Sequence, residues 1–160
     1  MQIEYVKGDL FSTQVMTIVH GCNAQGVMGS GVARIIREKY PKAYTRYRSQ
    51  FEAQRGLKLG DAFPVPCGNR DEDLDNFKII VNAITQEFYG SDGKRYVSYD
   101  AVAKSMETIN RFSEIYAIEE VAMPKIGAGL GGGDWNVISA IIESELKHVK
   151  PYVYTLENQK

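Results

Sequence analysis

The sequence predicts an α/β fold: helices on both faces of a mixed, largely parallel sheet of about six strands. Three observations carry that prediction. Short runs of strand character alternate along the chain with stretches whose apolar residues recur at helical spacing. Two glycine-rich loops, within 20–31 and 124–133, each follow a strand and precede a helix. One candidate strand, 62–67, carries Pro64 and Pro66 and so belongs at a sheet edge.

Taken in order, Gln2-Ile3-Glu4-Tyr5-Val6 alternates polar and apolar as a half-buried strand does, and Lys7-Gly8-Asp9 ends it. Thr17 to Cys22 reads as a second, more buried strand. A short helix should run from about Gly31 to Tyr40, where Pro41 interrupts it. Tyr44, Tyr47 and Phe51 then carry a further helical stripe, closed by a turn at Gly56 and Gly60. Strands follow at Ala62–Cys67 and Phe77–Thr85, with the charged turn GNRDEDLDN between them. A helix beginning near Asp100 presents Val102, Met106, Ile109 and Phe112 on one side. Glu120 to Met123 is a strand that runs into the second glycine loop. Asp134 caps the next helix by accepting from its first N–H groups, and Ile138, Ile141, Ile142 and Leu146 form its buried stripe. Pro151 serves as a helix stop, and Tyr152 to Leu156 is the last strand.

The totals narrow the function classes. A chain of 160 residues fits one domain spanning 1–160. Hydrophobic residues at 44% and charged residues at 24% match an ordinary soluble protein rather than a disordered one. A formal net charge of −1 gives no reason to expect nucleic acid as a partner. No apolar stretch is long enough to span a membrane, and MQIEYVKGD lacks a secretory apolar region. Cys22 and Cys67 lie far apart, and with only His20 and His148 beside them neither a zinc site nor a disulfide framework is credible. A cytoplasmic monomer without metal or cofactor is the expectation.

The stretch HGCNAQGVMGSGVARIIREKY places Gly21, Gly26, Gly29 and Gly31 between a strand and a helix. In an open α/β sheet, such loops lie at the carboxyl ends of the strands, where ligands bind. Successive N–H groups in glycine turns form anion-binding concavities, and a helix N-terminus adds partial positive charge. Two such loops facing each other would suit a diphosphate. The alternative is that the glycines only permit tight helix–sheet packing. Gly26, Gly29 and Gly31 do not have the GxGxxG spacing, and no lysine follows them as in GxxxxGK[ST].

At HGCNAQGVMGSGVA the sequence resembles a macro domain, the module that binds ADP-ribose. The likeness extends over nearly the whole chain, through VKGDL at 6–10, MPKIGAGLGGGDW at 123–135 and the closing VYTL. It is similar above all to the branch of yeast-type ADP-ribose 1''-phosphate phosphatases, terminal ADP-ribose protein glycohydrolases and antitoxins that reverse DNA ADP-ribosylation. The resemblance implies a three-layer α/β/α fold, and ADP-ribose or a derivative as ligand. It implies that Asp9 accepts from the adenine amino group and that Asn23 holds the distal ribose. Gly29, Ser30, Gly31 and Val32 would offer amides to one phosphate. Ile126, Gly127, Ala128, Gly129, Leu130 and Gly131 would wrap the other phosphate and the distal ribose. Tyr154 and Leu156 would flank the base, or else belong to the core.

Departures from the family pattern bear on the chemistry. The glycohydrolase and antitoxin members place a catalytic lysine where this chain has Gln86, and the glycohydrolase has an aspartate where this chain has Gly131. Lys94 and Lys125 are the substitutes to weigh, each also readable as a solvated or structural lysine. The yeast-type phosphatases have a histidine in the matching HxCN arrangement, here His20. An imidazole can take a proton from attacking water or itself attack phosphorus. The plain alternative is a buried strand-end histidine bonded to backbone. The resemblance therefore implies hydrolysis of ADP-ribose 1''-phosphate, with His20 and Asn23 as the catalytic pair. The rival expectations are an ADP-ribosyl hydrolase and a non-catalytic ADP-ribose module. Cys22 is a second candidate nucleophile, or core packing, and Glu87 to Gly90 a candidate cover for the distal ribose.

Overall fold

A computed structural model describes residues 1–156. Its strands are β1 (Glu4–Lys7), β2 (Thr17–Asn23), β3 (Ala62–Cys67), β4 (Lys78–Gln86), β5 (Glu120–Met123) and β6 (Lys150–Thr155). Its α-helices are α1 (Gly31–Lys39), α2 (Pro41–Glu52), α3 (Tyr99–Tyr116) and α4 (Trp135–Glu145). The six strands form one sheet in the order β1-β6-β5-β2-β4-β3. Every neighbouring pair is parallel except β3 with β4. β3 lies at the edge, where Pro64 and Pro66 cost no ladder bond on the open side.

Helices cover both faces, which makes three layers. On one face Val19 and Val81 pack with Val102, Met106 and Ile109 of α3 and with Ile138 and Ile142 of α4. On the other, Ile18, Val65 and Ile80 meet Ile36 of α1 and Ala43 of α2. A smaller cluster of Cys22, Met28, Tyr47 and Ile84 extends that second core beneath the first glycine loop. Each fully buried isoleucine or methionine in these stripes contributes about 1.5–3 kcal/mol by leaving water.

Some boundaries differ from expectation for identifiable reasons. A single 3-10 turn, Leu10–Ser12, follows β1 because Asp9 accepts from the amide of Phe11 and caps it. The stripe on α2 centres on Ala43 and Tyr47, with Tyr44 and Phe51 half-buried at its sides. The last helix closes at Glu145, well before Pro151. Leu146 turns extended there, and the amides of Lys147 and His148 go to Oδ1 of Asn110 on α3. Pro151 falls inside β6. The register with β1 starts one residue later, at Tyr152, so the donor Pro151 lacks is not missed.

Candidate functional site

The parallel strands all end on one side of the sheet, and both glycine loops gather there. Between them lies a cavity of about 1120 Å³. Its lining brings together His20, Asn23, Gly29 to Val32 and Ile126 to Gly131. Cys22, Thr85, Gln86, Tyr89, Lys125 and Trp135 also line it.

The first loop is fastened by Asn23. Its Oδ1 accepts from the Gln25 amide at 3.0 Å and from the Tyr47 hydroxyl at 2.9 Å, and its Nδ2 donates to Val27 O at 2.8 Å. Gly26 at φ +77 makes the turn that returns the chain toward α1, beside the ring of Phe51. Ser30 then stands at the N-cap of α1 in extended conformation, yet its side chain makes no capping bond. The first amides of α1 have no intrahelical acceptor, so they are left open toward the cavity with the positive end of the helix dipole behind them. α4 contrasts with this, since Asp134 accepts from the Asn136 amide at 2.9 Å and closes that end.

The second loop is coiled on itself. Gly133 donates to Gly127 O and Gly132 to Gly129 O, while Gly131 O accepts from the amides of Tyr96 and Val97. The amides of Gly127, Gly129, Leu130 and Gly131 make no backbone hydrogen bond among the described residues. A Cβ at Gly131 would come within 2.7 Å of Gly127 O, so this coil excludes a side chain there. The aspartate of the glycohydrolase pattern has no room at this position.

His20 sits on β2 directly beside Asn82 on β4. The period of two puts Ile18, His20 and Cys22 on one face of the strand, toward α1 and α2. The imidazole is buried, 1% exposed, with Nε2 at 2.7 Å from Oδ1 of Asn82. Asn82 Nδ2 donates to Ala43 O at 3.1 Å, which fixes its amide so that the oxygen faces the ring. Nε2 therefore carries the proton and Nδ1 is the ring's acceptor. Burial lowers the pKa of His20 to about 4, against a smaller upward pull from Asn82, so the ring is neutral at pH 7. The thiol of Cys22 lies 3.5 Å from Nε2, and burial pushes its pKa far up, so it remains a thiol at neutral pH.

Other residues singled out in the sequence fall in different places. Asp9 and Tyr154 stand outside the cavity lining. Asp9 is held by its turn, with one carboxylate oxygen on the Phe11 amide, and Tyr154 by a 2.7 Å hydrogen bond to Thr13 over the α1–α2 core. Both lie on the same edge of the sheet as the cavity, at the ends of β1 and β6. Leu156 is exposed. Gln86 lines the cavity but donates to Phe88 O at 2.7 Å. Lys94 is exposed beside Asp92 and outside the lining, whereas Lys125 is in it, with Nζ 6.0 Å from the centroid of the Trp135 ring. Tyr89 lines the mouth and Phe88 is exposed next to it. His148 is surface-exposed, with Nε2 2.7 Å from Glu114.

Sequence reading missed Asn82, Thr85 and Trp135 as parts of the site. Asn82 and Thr85 sit within an apolar strand that reads as core, and only the pairing of β2 with β4 brings them to the loops. Trp135, whose Nε1 donates to the Tyr5 hydroxyl at 3.0 Å, was visible as the residue after the Asp134 cap.

Comparison with known proteins accords with this geometry. The chain is 26% identical over 162 residues to an ADP-ribose 1''-phosphate phosphatase of Candida albicans, covering 94% of this chain and 99% of that protein. It is 30% identical over 149 residues to a DNA ADP-ribosyl glycohydrolase of Mycobacterium tuberculosis, covering 92% of this chain but only 39% of that longer protein. The macrodomain of Mycobacterium tuberculosis DarG superposes with a TM-score of 0.81 at 27% identity, over 96% of this chain and 97% of that one. With the macro domain family model matching residues 19–142, the chain belongs to the macro domain family.

Proposed function

We propose that this protein binds ADP-ribose and hydrolyses ADP-ribose 1''-phosphate to ADP-ribose and phosphate. The observation that supports it most is the uncapped N-terminus of α1 facing the amide-rich coil of the second loop across one cavity. Such donors suit the pyrophosphate, and they suit the charge that spreads over the equatorial oxygens of a phosphoryl group in transit. Water adds to phosphorus, the bond from phosphorus to the anomeric oxygen breaks, and that oxygen leaves with a proton as the hydroxyl of ADP-ribose. His20 Nδ1, unprotonated at neutral pH, takes the proton from the water. In the covalent variant Nδ1 itself attacks phosphorus as the anomeric oxygen leaves, and water then cleaves the phosphorus–nitrogen bond to release phosphate and the free imidazole. Asn23 anchors the distal ribose with the Nδ2 hydrogen that its loop does not use. Asp9 and Tyr154 serve the adenine end, Asp9 after the edge strand β1 and Tyr154 on β6 between β1 and β5.

A phosphate-release assay on ADP-ribose 1''-phosphate, run beside calorimetric titration with ADP-ribose, tests this reading. Parent protein should release phosphate. His20→Gln, which keeps a donor for Asn82, should lose on the order of 10²-fold in rate while binding ADP-ribose normally. Normal binding without phosphate release, or a His20→Gln variant as fast as the parent, would overturn it.

The Mycobacterium relative supports a second reading, removal of ADP-ribose from a macromolecule. Against it stand Gln86, whose amide cannot serve as a cationic acid, and the coil that excludes a side chain at Gly131. Release of ADP-ribose from modified protein or DNA, measured in parallel, separates the two.

A further inference from the structure

Thr85 carries a hydroxyl with no protein partner among the described residues. It stands near the end of β4, is 1% exposed, and lines the cavity. Its Oγ1 makes no hydrogen bond among the described residues, although no occluded side-chain nitrogen or oxygen there is left unpaired. That oxygen therefore touches the cavity. The β2–β4 register slips at this point: Cys22 pairs with Ile84 and Asn23 with Gln86, leaving Thr85 opposite the irregularity. Irregular pairing of this kind re-aims a side chain beside a binding site. Gly21 lies against it, and a Cβ there would come within 2.8 Å of Oγ1 and 3.2 Å of Ile126 Cγ2. Glycine clearance thus keeps the hydroxyl accessible from the floor of the cavity. Every other buried polar side chain on this strand has a protein partner: Asn82 has His20 and Ala43, and Lys78 has the carbonyls of Thr13 and Val15. A hydroxyl that faces the cavity and is not taken up by a protein partner is available to a ligand bound there.

We propose that Thr85 is a ligand-binding residue whose Oγ1 hydrogen-bonds a hydroxyl of the distal ribose. This rests on the ADP-ribose reading above. The amides of the two loops already supply donors for phosphates, and Thr85 stands beside the Gly21–Asn23 strand end rather than at the α1 terminus. A threonine hydroxyl both donates and accepts, which matches a sugar hydroxyl.

The test is calorimetric titration of ADP-ribose, and of ADP, which lacks the distal ribose, into the parent and into Thr85→Val, Thr85→Ala and Thr85→Ser. Thr85→Val and Thr85→Ala should each weaken ADP-ribose about tenfold, the weight of one buried hydrogen bond. Both should leave ADP within about twofold, and Thr85→Ser should restore ADP-ribose to within about threefold of the parent. The unliganded Thr85→Val protein should melt close to the parent, because the side chain keeps its shape and the hydroxyl it loses makes no hydrogen bond to the described residues. Unchanged ADP-ribose affinity in the Val and Ala variants, or equal losses for ADP and ADP-ribose, overturns the assignment alone. Parent protein that binds neither nucleotide overturns the ADP-ribose reading and this assignment with it.

Discussion

Asn82 holds His20 in a single tautomer. The two residues are paired in register on β4 and β2, 2.7 Å apart from Oδ1 to Nε2, and Asn82 is itself oriented by Ala43 O on α2. An asparagine in this role orients the ring without adding the negative charge that would favour imidazolium. Nitrogen-detected NMR should find the His20 proton on Nε2 in the parent. Asn82→Asp should raise the His20 pKa markedly, and Asn82→Ala should cost about 1–3 kcal/mol of stability by leaving Nε2–H unpaired.

The same burial sets a pH dependence. His20 has a folded pKa of about 4, against 6.5 for the free side chain, so between those values the unfolded chain binds more protons than the folded one. Stability should be full above pH 6.5 and fall as the pH drops toward 4, by on the order of 3 kcal/mol from this group. Chemical denaturation of the parent and of His20→Gln across that window checks it. The variant should show a shallower decline.

Ser30 allows stability and affinity to be moved in opposite directions. Ser30→Asp should cap α1 and stabilise the protein by about 0.5–1 kcal/mol. The same carboxylate would occupy the amides proposed to hold the pyrophosphate and would repel it. A higher Tm with ADP-ribose affinity at least tenfold weaker is the expected pair of results, read by thermal melting and calorimetry.

At Gly131 the prediction is loss without gain. Gly131→Asp restores the aspartate of the glycohydrolase pattern but sets a Cβ 2.7 Å from Gly127 O. The coil must shift, at a cost of about 1–3 kcal/mol. ADP-ribose affinity should drop, and no release of ADP-ribose from modified protein or DNA should appear in the variant.

Much of the architecture was legible because its signals are local. The prolines of β3, the Asp134 cap and the stripes of α3 and α4 each depend on residues close in sequence. Gly21 to Val32 and Ile126 to Gly131 were legible as loops for the same reason. What escaped was relational. Nothing near Asn82 says that it faces a histidine 62 residues earlier. The end of α4 was misjudged because the stop lies in Asn110 on another helix, not in Pro151. His20 illustrates the limit best, since its residue type suggested chemistry while its burial, tautomer and depressed pKa are properties of the assembled sheet.

Tyr47 reaches up from α2 to grip both the carbonyl and the side chain of Asn23, while Val27 holds the amide from the other side. That brace sets the shape of the first loop before any guest arrives. A socket already in its final form admits its occupant in one step, at a frequency set by encounter rather than by rearrangement. Stopped-flow traces should then be single exponentials whose rate climbs linearly with nucleotide concentration, without a plateau.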